Sequence, residues 1–273
     1  VARDEEEGRG VDLQTDRAHG ARIYDYILGG KDNFAADREA GENSLKMWPA
    51  LKPHMHANRA FMHRVGRYLA AEAGIRQFLD IGTGLPTRPN LHEIVQSVDP
   101  TAKVVYTDND PLVLAHARAL MLGTTQGSTA YIDADMRNPQ TITSAPEFIE
   151  TLDLTKPVGL LLIAIVHFIE DDDEALKVVR QVLDVLPSGS YLAMSIATDE
   201  FDPIPLAKVQ QEYNRLGETL IFRKRPTALS FFDGLELVEP GLVQVHKWRP
   251  DGSEPADVSD KDIAMYGAVA RKP

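Results

Sequence analysis

The stretch Phe78-Leu79-Asp80-Ile81-Gly82-Thr83-Gly84-Leu85-Pro86-Thr87 decides how this chain is read. A short run of strand character enters Gly-x-Gly, and residues 91–98 then carry helical periodicity, with Asn90 and Glu93 at the spacing of a capping box. Strand, glycine turn and helix in that order make a ligand-binding corner, because glycine lets the backbone turn sharply and lets a ligand approach closely. Asp80 stands at the carboxyl end of the strand, two residues before Gly82. A carboxylate there repels a pyrophosphate, yet it reaches a cationic ammonium directly or through water. The third glycine of the dinucleotide fingerprint is missing, since position 87 is threonine. Both features turn the reading away from a nicotinamide dinucleotide.

Two further motifs follow. Val104-Val105-Tyr106-Thr107-Asp108-Asn109-Asp110-Pro111 is a strand ending in an acid, 24 residues after Gly84. An acid at that place accepts hydrogen bonds from ribose hydroxyls. The competing role, capping the next helix, suits Asp110 better. Tyr131-Ile132-Asp133-Ala134-Asp135-Met136-Arg137 ends a third strand, where Asp135 can face an exocyclic amine such as that of adenine, with Asp133 as the rival. Strands are expected at residues 78–81, 104–107, 130–132, 158–165, 191–195, 242–248 and 265–270. Helices are expected at 91–98, 111–122, 174–186 and 206–216. This alternation predicts an α/β fold: a seven-stranded, mostly parallel sheet with helices on both faces. The last strand is expected antiparallel, because no helix long enough for a parallel crossover precedes it. The glycine loop, Asp108 and Asp135 should meet at the carboxyl ends of the strands.

Before residue 75 the pattern is helical. Residues 1–17 read as a polar, mobile tail. Residues 18–28 form a short amphipathic helix carrying Tyr24 and Tyr26, broken by Gly29-Gly30-Lys31-Asp32-Asn33. Residues 35–47 and 55–73 continue as helices. Residues 1–74 are therefore expected as a tail and helical cap, and 75–273 as the α/β domain. The first helix has the make-up of a lid, with Gly29-Gly30 as its bend, Tyr24 or Tyr26 near the pocket, and Lys31 as a hinge or anion contact.

Composition narrows the function. The chain has 273 residues, of which 43% are hydrophobic and 26% charged, as in ordinary globular proteins. No cysteine is present, so disulfides and thiolate metal sites are excluded. No apolar run approaches the roughly 18 residues of a membrane span, and no basic-then-apolar leader opens the sequence, so a cytoplasmic location is expected. The formal charge of −12 disfavours a nucleic-acid partner. Arg223-Lys224-Arg225 reads as a solvated turn, and His54, His56 and His63 as surface or packing residues rather than a metal site.

The three acid-bearing motifs, in this order, resemble the S-adenosylmethionine (SAM) motifs of class I methyltransferases. Residues 158–167 and Leu183-Asp184-Val185-Leu186-Pro187-Ser188-Gly189-Ser190-Tyr191 are similar to that class's fourth strand and its turn into strand five. More narrowly, Ala21-Arg22-Ile23-Tyr24-Asp25-Tyr26-Ile27-Leu28-Gly29-Gly30-Lys31-Asp32-Asn33-Phe34-Ala35-Ala36-Asp37-Arg38 resembles the signature of an actinobacterial SAM-dependent methyltransferase family first catalogued as a domain of unknown function, DUF574. The stretch from Asp80 to Thr87 matches that family too, and the resemblance runs from about residue 18 to 272. It implies a Rossmann-like class I fold and SAM as cofactor, but names no acceptor. It places Asp80, Gly82 and Gly84 near the methionyl part, Asp108 on the ribose, Asp135 and the Met136 backbone at adenine, and Ala164 beside the cofactor. Thr83 and Asn109, inside the same motifs, join that set. Pro86 departs from the class, which commonly has glycine there.

Methyl transfer from a sulfonium needs alignment and desolvation more than acid–base chemistry. His167, just after strand four, is the candidate base, with Glu170 behind it. The expected function is methyl transfer to a small-molecule acceptor, with oligomeric state left open. The alternatives are a non-catalytic SAM-binding sensor or partner protein and, more remotely, a nicotinamide-dependent oxidoreductase.

Overall fold

The computed structural model describes residues 15–120 and 124–273. Most of the stretch expected as a tail, and the end of the helix expected at 111–122, lie outside them. Three helices come first: α1 (Gly20–Leu28), α2 (Ala35–Met47) and α3 (Leu51–Ala71). Then β1 (Gln77–Ile81), α4 (Leu91–Val98), β2 (Lys103–Asp108), α5 (Pro111–Leu120) and β3 (Ser128–Asp133) alternate. Two short helices, α6 (Pro139–Thr143) and α7 (Pro146–Thr151), precede β4 (Gly159–Ile163), α8 (Asp172–Val185) and β5 (Tyr191–Ala197). The chain closes with α9 (Pro203–Arg215), α10 (Arg225–Ser230), β6 (Glu236–Leu237), β7 (Val243–Gln244) and β8 (Met265–Arg271).

The sheet runs β3-β2-β1-β4-β5-β8-β6, with β7 also on β8. Strands β1 to β5 are parallel, and β8 is antiparallel to β5, as expected. The sheet has eight strands rather than seven. The difference is one interrupted edge. Glu236 pairs with Arg271 and Val243 with Gly267, so the edge chain advances seven residues while β8 advances four. The surplus residues loop out around Pro240, which has no N–H to give the ladder. The strand expected at 242–248 is correspondingly cut to Val243–Gln244, and a 3₁₀ turn over Val245–Lys247 follows. The strand expected at 158–165 stops at Ile163, because Ala164 takes a left-handed conformation with φ of 54°.

Alternation along the strands divides the core. Leu79, Val105, Leu160, Leu162 and Met194 enter one hydrophobic cluster, while Phe78, Val104, Leu161 and Ala193 enter another on the opposite face. Period-two burial on both faces is what a helix-covered parallel sheet requires. The second cluster includes Phe61, Val65 and Leu69, the i, i+4 stripe of α3, so the longest cap helix is packed into the core. A third cluster forms where α1, α2, α3 and α9 meet, around Ile23, Trp48, Leu51, Leu206 and Val209. No described helix is long and apolar enough to cross a membrane.

Candidate functional site

The site begins at the end of β1. Gly82 has φ of +76°, and a Cβ there would lie 2.5 Å from Ile165 Cγ1, so both backbone conformation and space demand glycine. The Gly82 and Thr83 amides donate to the Thr107 carbonyl at 2.8 and 3.2 Å, tying the loop to the end of β2. The Gly84 amide donates to Asp108 Oδ2 at 2.8 Å, and the Asp110 amide to Asp108 Oδ1 at 3.0 Å. A carboxylate has about four lone-pair positions, so two remain for a ligand. Asp108 thus also anchors the glycine loop, a structural task that its sequence position did not reveal.

These acids converge. One cavity of about 270 Å³ is lined by Asp80, Gly82, Thr83, Gly84, Asp108 and Asn109 on its β1–β2 side. Asp135, Met136, Ala164 and His167 complete its β3–β4 side. Asp133, the rival of Asp135, is exposed at the end of β3 and does not line the cavity. Asp135 is opposed by burial, yet its bonds to the Arg137 side chain and amide, and to Asn109, hold it below the usual carboxylate range.

Asp80 is a strongly perturbed acid. Burial pushes it up to about 7, partly countered by Arg59 and reinforced by Asp108. Arg59, from α3, was missed in the sequence. Its Nη2 donates to the Thr87 and Pro89 carbonyls, and its Nε has no partner. A signal for it did exist. Leu51, His54, Met55, Asn58, Arg59 and Met62 all line the cavity, and their spacing is one helical face. Asn58 and Arg59 interrupt an apolar stripe, which is how a helix contributes polar groups to a pocket.

The first helix seals the corner. Arg22, 2% exposed, forms a two-pronged pair with Asp110, Nη2 to Oδ1 at 2.7 Å and Nε to Oδ2 at 2.9 Å. His19 Nδ1 stands 3.3 Å from Asp110 Oδ2. Asp110 in turn accepts the Leu112 amide at 2.9 Å, the capping role expected of it. Tyr24 lines the cavity. Its hydroxyl donates to the Met55 carbonyl at 3.1 Å and accepts from Asn58 Nδ2 at 3.3 Å. Tyr26 and Lys31 do not line it: Tyr26 turns to Glu42 and packs against Gly41, and Lys31 is exposed. Gly29-Gly30 is the bend, but a bonded one. Gly29 caps α1 at φ of 87°, and a Cβ on Gly30 would fall 1.9 Å from Asp25 Oδ1. The buried Asp25 carboxylate fills that space and accepts the Asp32 amide and Asn33 Nδ2. The bend is therefore a fixed corner.

His167 sits on a 3₁₀ turn, Val166–Phe168, after β4. Burial drives it down to about 3, helped by Arg223 and His54, so the ring is neutral at physiological pH and a weak base. Glu170 is exposed and does not line the cavity. Arg223 is not part of a solvated turn. It is 1% exposed and donates to the Val166 and Ile169 carbonyls at 2.8 Å and to Asp172 at 2.8 Å, clamping the turn that carries His167. In extended chain its neighbour Lys224 points the other way, to Asp199, so a run of three charges splits between core and surface. His54 is also buried. Its Nδ1 accepts the Ala264 amide at 3.2 Å, and it lines the cavity rather than the surface.

A family model described as S-adenosyl methyltransferase matches residues 6–273. Among solved structures, a DUF574-family protein of Streptomyces avermitilis is similar at 58% identity, over 96% of this chain and 100% of that one, with a TM-score of 0.94. A Thermobifida fusca protein assigned to the methyltransferases is similar at 39% identity, over 95% of this chain and 97% of that one, with a TM-score of 0.87. No curated protein matches the sequence.

Proposed function

This chain belongs to the S-adenosyl methyltransferase family, and from that premise we propose how its own residues divide the work of a SAM-dependent methyltransferase. The reading rests on one observation: the glycine loop, Asp80, Asp108 and Asp135 line a single cavity at the carboxyl ends of β1, β2 and β3, where open α/β sheets bind ligands.

The residues present fit the cofactor. The backbone of Gly82 and Gly84 leaves room that a side chain would fill at Gly82. Asp80 and Arg59 offer opposite charges at one end, the pair that the zwitterionic methionyl group needs. Asp108 keeps lone pairs for ribose hydroxyls, and Asn109 steadies Asp135 beside the adenine position, with the Met136 backbone next to it. Ala164, just past β4, brings no bulky side chain. When bound, SAM supplies a methyl group already activated on sulfur. The chain's part is then to orient the acceptor and exclude water. The cap helices α1 to α3 do the excluding, with Tyr24 as a contact in the cavity. His167 is a hydrogen-bond partner for the acceptor, because so weak a base stores no proton at neutral pH.

The acceptor is a small molecule. The cavity lies under α1 and α3, and the chain carries a formal charge of −12, so a phosphate backbone has neither access nor attraction.

Calorimetry with S-adenosylhomocysteine and with NAD tests the assignment. The first should bind and the second should not. Asp108→Asn, which keeps an acceptor for one backbone amide while removing the charge, should weaken S-adenosylhomocysteine by roughly 10- to 150-fold, because a hydrogen bond to a charged group contributes about 1.5–3 kcal/mol. A folded variant with unchanged affinity would remove Asp108 from the site.

A further inference from the structure

The same cavity has a second half with different chemistry. Beyond β4 it is walled by Trp48, Leu51, Met55, Leu206, Val209 and Leu220, each no more than 7% exposed. All six belong to the third hydrophobic cluster, so this end of the cavity is a hollow inside packed apolar side chains.

Few polar groups reach it, and Arg59, next to Asn58 on α3, is assigned with Asp80 to the methionyl end. Asp25 lines the cavity but its carboxylate is occupied by the Asp32 amide and Asn33. Glu218, half-buried, acts on Tyr213 at this end as well as on Arg137. What remains is neutral. His54 is lowered by burial to about 4, and because its Nδ1 accepts the Ala264 amide, the hydrogen of the neutral ring is on Nε2. His167 is neutral too, and its Nδ1 has no partner. Asn58 is 1% exposed. Its amide nitrogen is used by Tyr24, while its Oδ1 has none. A buried polar atom left without a partner costs about 1–3 kcal/mol. Two such atoms, on side chains that line one apolar hollow, mark where a ligand's own polar group is missing.

We propose that this half of the cavity takes the methyl acceptor, and that the acceptor is an uncharged, predominantly apolar molecule carrying a hydroxyl or amino group. The inference rests on assigning the other half to SAM. An apolar wall with a few placed polar groups fixes orientation by hydrogen bonds and affinity by burial. A hydroxyl or amine both donates and accepts, so it can meet the Asn58 oxygen and the two imidazoles. A carboxylate or phosphate entering the hollow would lose its hydration with no cation of this half to replace it, and an ammonium would compete with Arg137 for the half-buried Glu218.

The experiment uses the full chain saturated with S-adenosylhomocysteine. A panel of one- to three-ring hydroxy- and aminoarenes, 2-naphthol among them, is titrated by calorimetry beside the corresponding carboxylates and phosphate esters. At least one neutral member should bind at one equivalent, and its charged counterparts at least about tenfold more weakly. Val209→Trp, which fills the hollow, should abolish that binding while S-adenosylhomocysteine still binds; Val209→Phe serves if the larger side chain disrupts folding. Charged members binding as well as neutral ones, no neutral member binding, or neutral binding untouched by both variants would overturn the proposal. Failure of S-adenosylhomocysteine itself to bind would instead overturn the cofactor assignment beneath it.

Discussion

The sheet wall of the cavity presents backbone and short acids, whereas the cap wall presents long side chains that reach across from helices. On the sheet wall the geometry is set by two short motifs on adjacent strands: Gly82 and Gly84 at positive φ, Asp80 just before them, and Asp108, 24 positions on, accepting the Gly84 amide. On the cap side Tyr24, His54 and Arg59, which line the cavity, and Arg22, which lies behind them, act over sequence separations that only the folded chain closes. Arg22 meets Asp110 across 88 positions, and His54 meets Ala264 across 210. Local rules fix the first wall, and tertiary packing fixes the second. Damage to the sheet wall should therefore appear as lost affinity, and damage to the cap wall as lost stability first.

The largest effect expected is at Arg22. Its pair with Asp110 is buried, and removing one partner of a buried ion pair costs about 3–5 kcal/mol, since the other charge is left without compensation. Arg22→Met should lower Tm by roughly 10 °C in a protein of this size. Because the Asp110 amide also bonds Asp108, affinity for S-adenosylhomocysteine should fall as well. Arg22→Met combined with Asp110→Asn should recover much of the stability, as the unpaired charge is gone. A scan showing the single variant as stable as the parent would mean that the cap is not fastened through this pair.

A smaller, pH-dependent effect separates the walls further. Asp80 is raised to about 7, whereas an unfolded aspartate titrates at 3.8. For an acid raised in this way, the favourable contribution is complete below the unfolded value and is lost as pH rises through about 7, a penalty of a few kcal/mol. Asp80→Asn should therefore be more stable than the parent above pH 7 and no better near pH 4. Ligand affinity runs the other way. Only ionised Asp80 attracts an ammonium, so S-adenosylhomocysteine should bind the parent up to about tenfold more tightly at pH 8 than at pH 6, and Asp80→Asn should bind weakly at both. The two buried histidines, one on the cap and one after β4, have the opposite sign. His54, lowered to about 4, and His167, lowered to about 3, contribute stability above pH 6.5 that is lost as pH falls, because the unfolded chain takes up their protons first. An affinity flat between pH 6 and 8 would detach Asp80 from the cofactor.

The contrast also explains what could be read in advance. The parallel core, the antiparallel last strand and the convergence of Asp80, Asp108 and Asp135 follow from the alternation of strands and helices and from short motifs ending in an acid or a glycine turn. The eighth strand did not, because Glu236–Leu237 and Val243–Gln244 are two-residue pieces with no period to detect. Arg223 was misread because a charge run looks solvated until the chain's direction is known. Arg59 sat in the helix expected at 55–73 and His54 just before it, in the extra turn by which α3 starts at Leu51, but nothing local says that this face meets a cavity rather than a neighbouring helix.

The smallest effect expected tests the cap at its finest grain. Tyr24 and Tyr26 are two residues apart on α1, so their side chains point roughly 200° apart around the helix. Tyr24 faces inward, bonded to Met55 and Asn58, and burial raises its phenol above the ordinary range. Tyr26 faces Glu42 on the outside of the cap. Tyr24→Phe leaves the Asn58 amide without its partner and takes a second bond from the Met55 carbonyl, already used within α3, which should cost about 1 kcal/mol and disturb the cavity beside Asn58. Tyr26→Phe removes one exposed hydrogen bond, so stability should change by no more than about 0.5 kcal/mol. Affinity for S-adenosylhomocysteine should stay within about twofold, inside that same energy. Thermal melts and calorimetry on the two variants, side by side, read the difference directly. Equal losses in both would mean that α1 is gripped on both faces, and the division between a cavity face and an outer face of the cap would fail at its first helix.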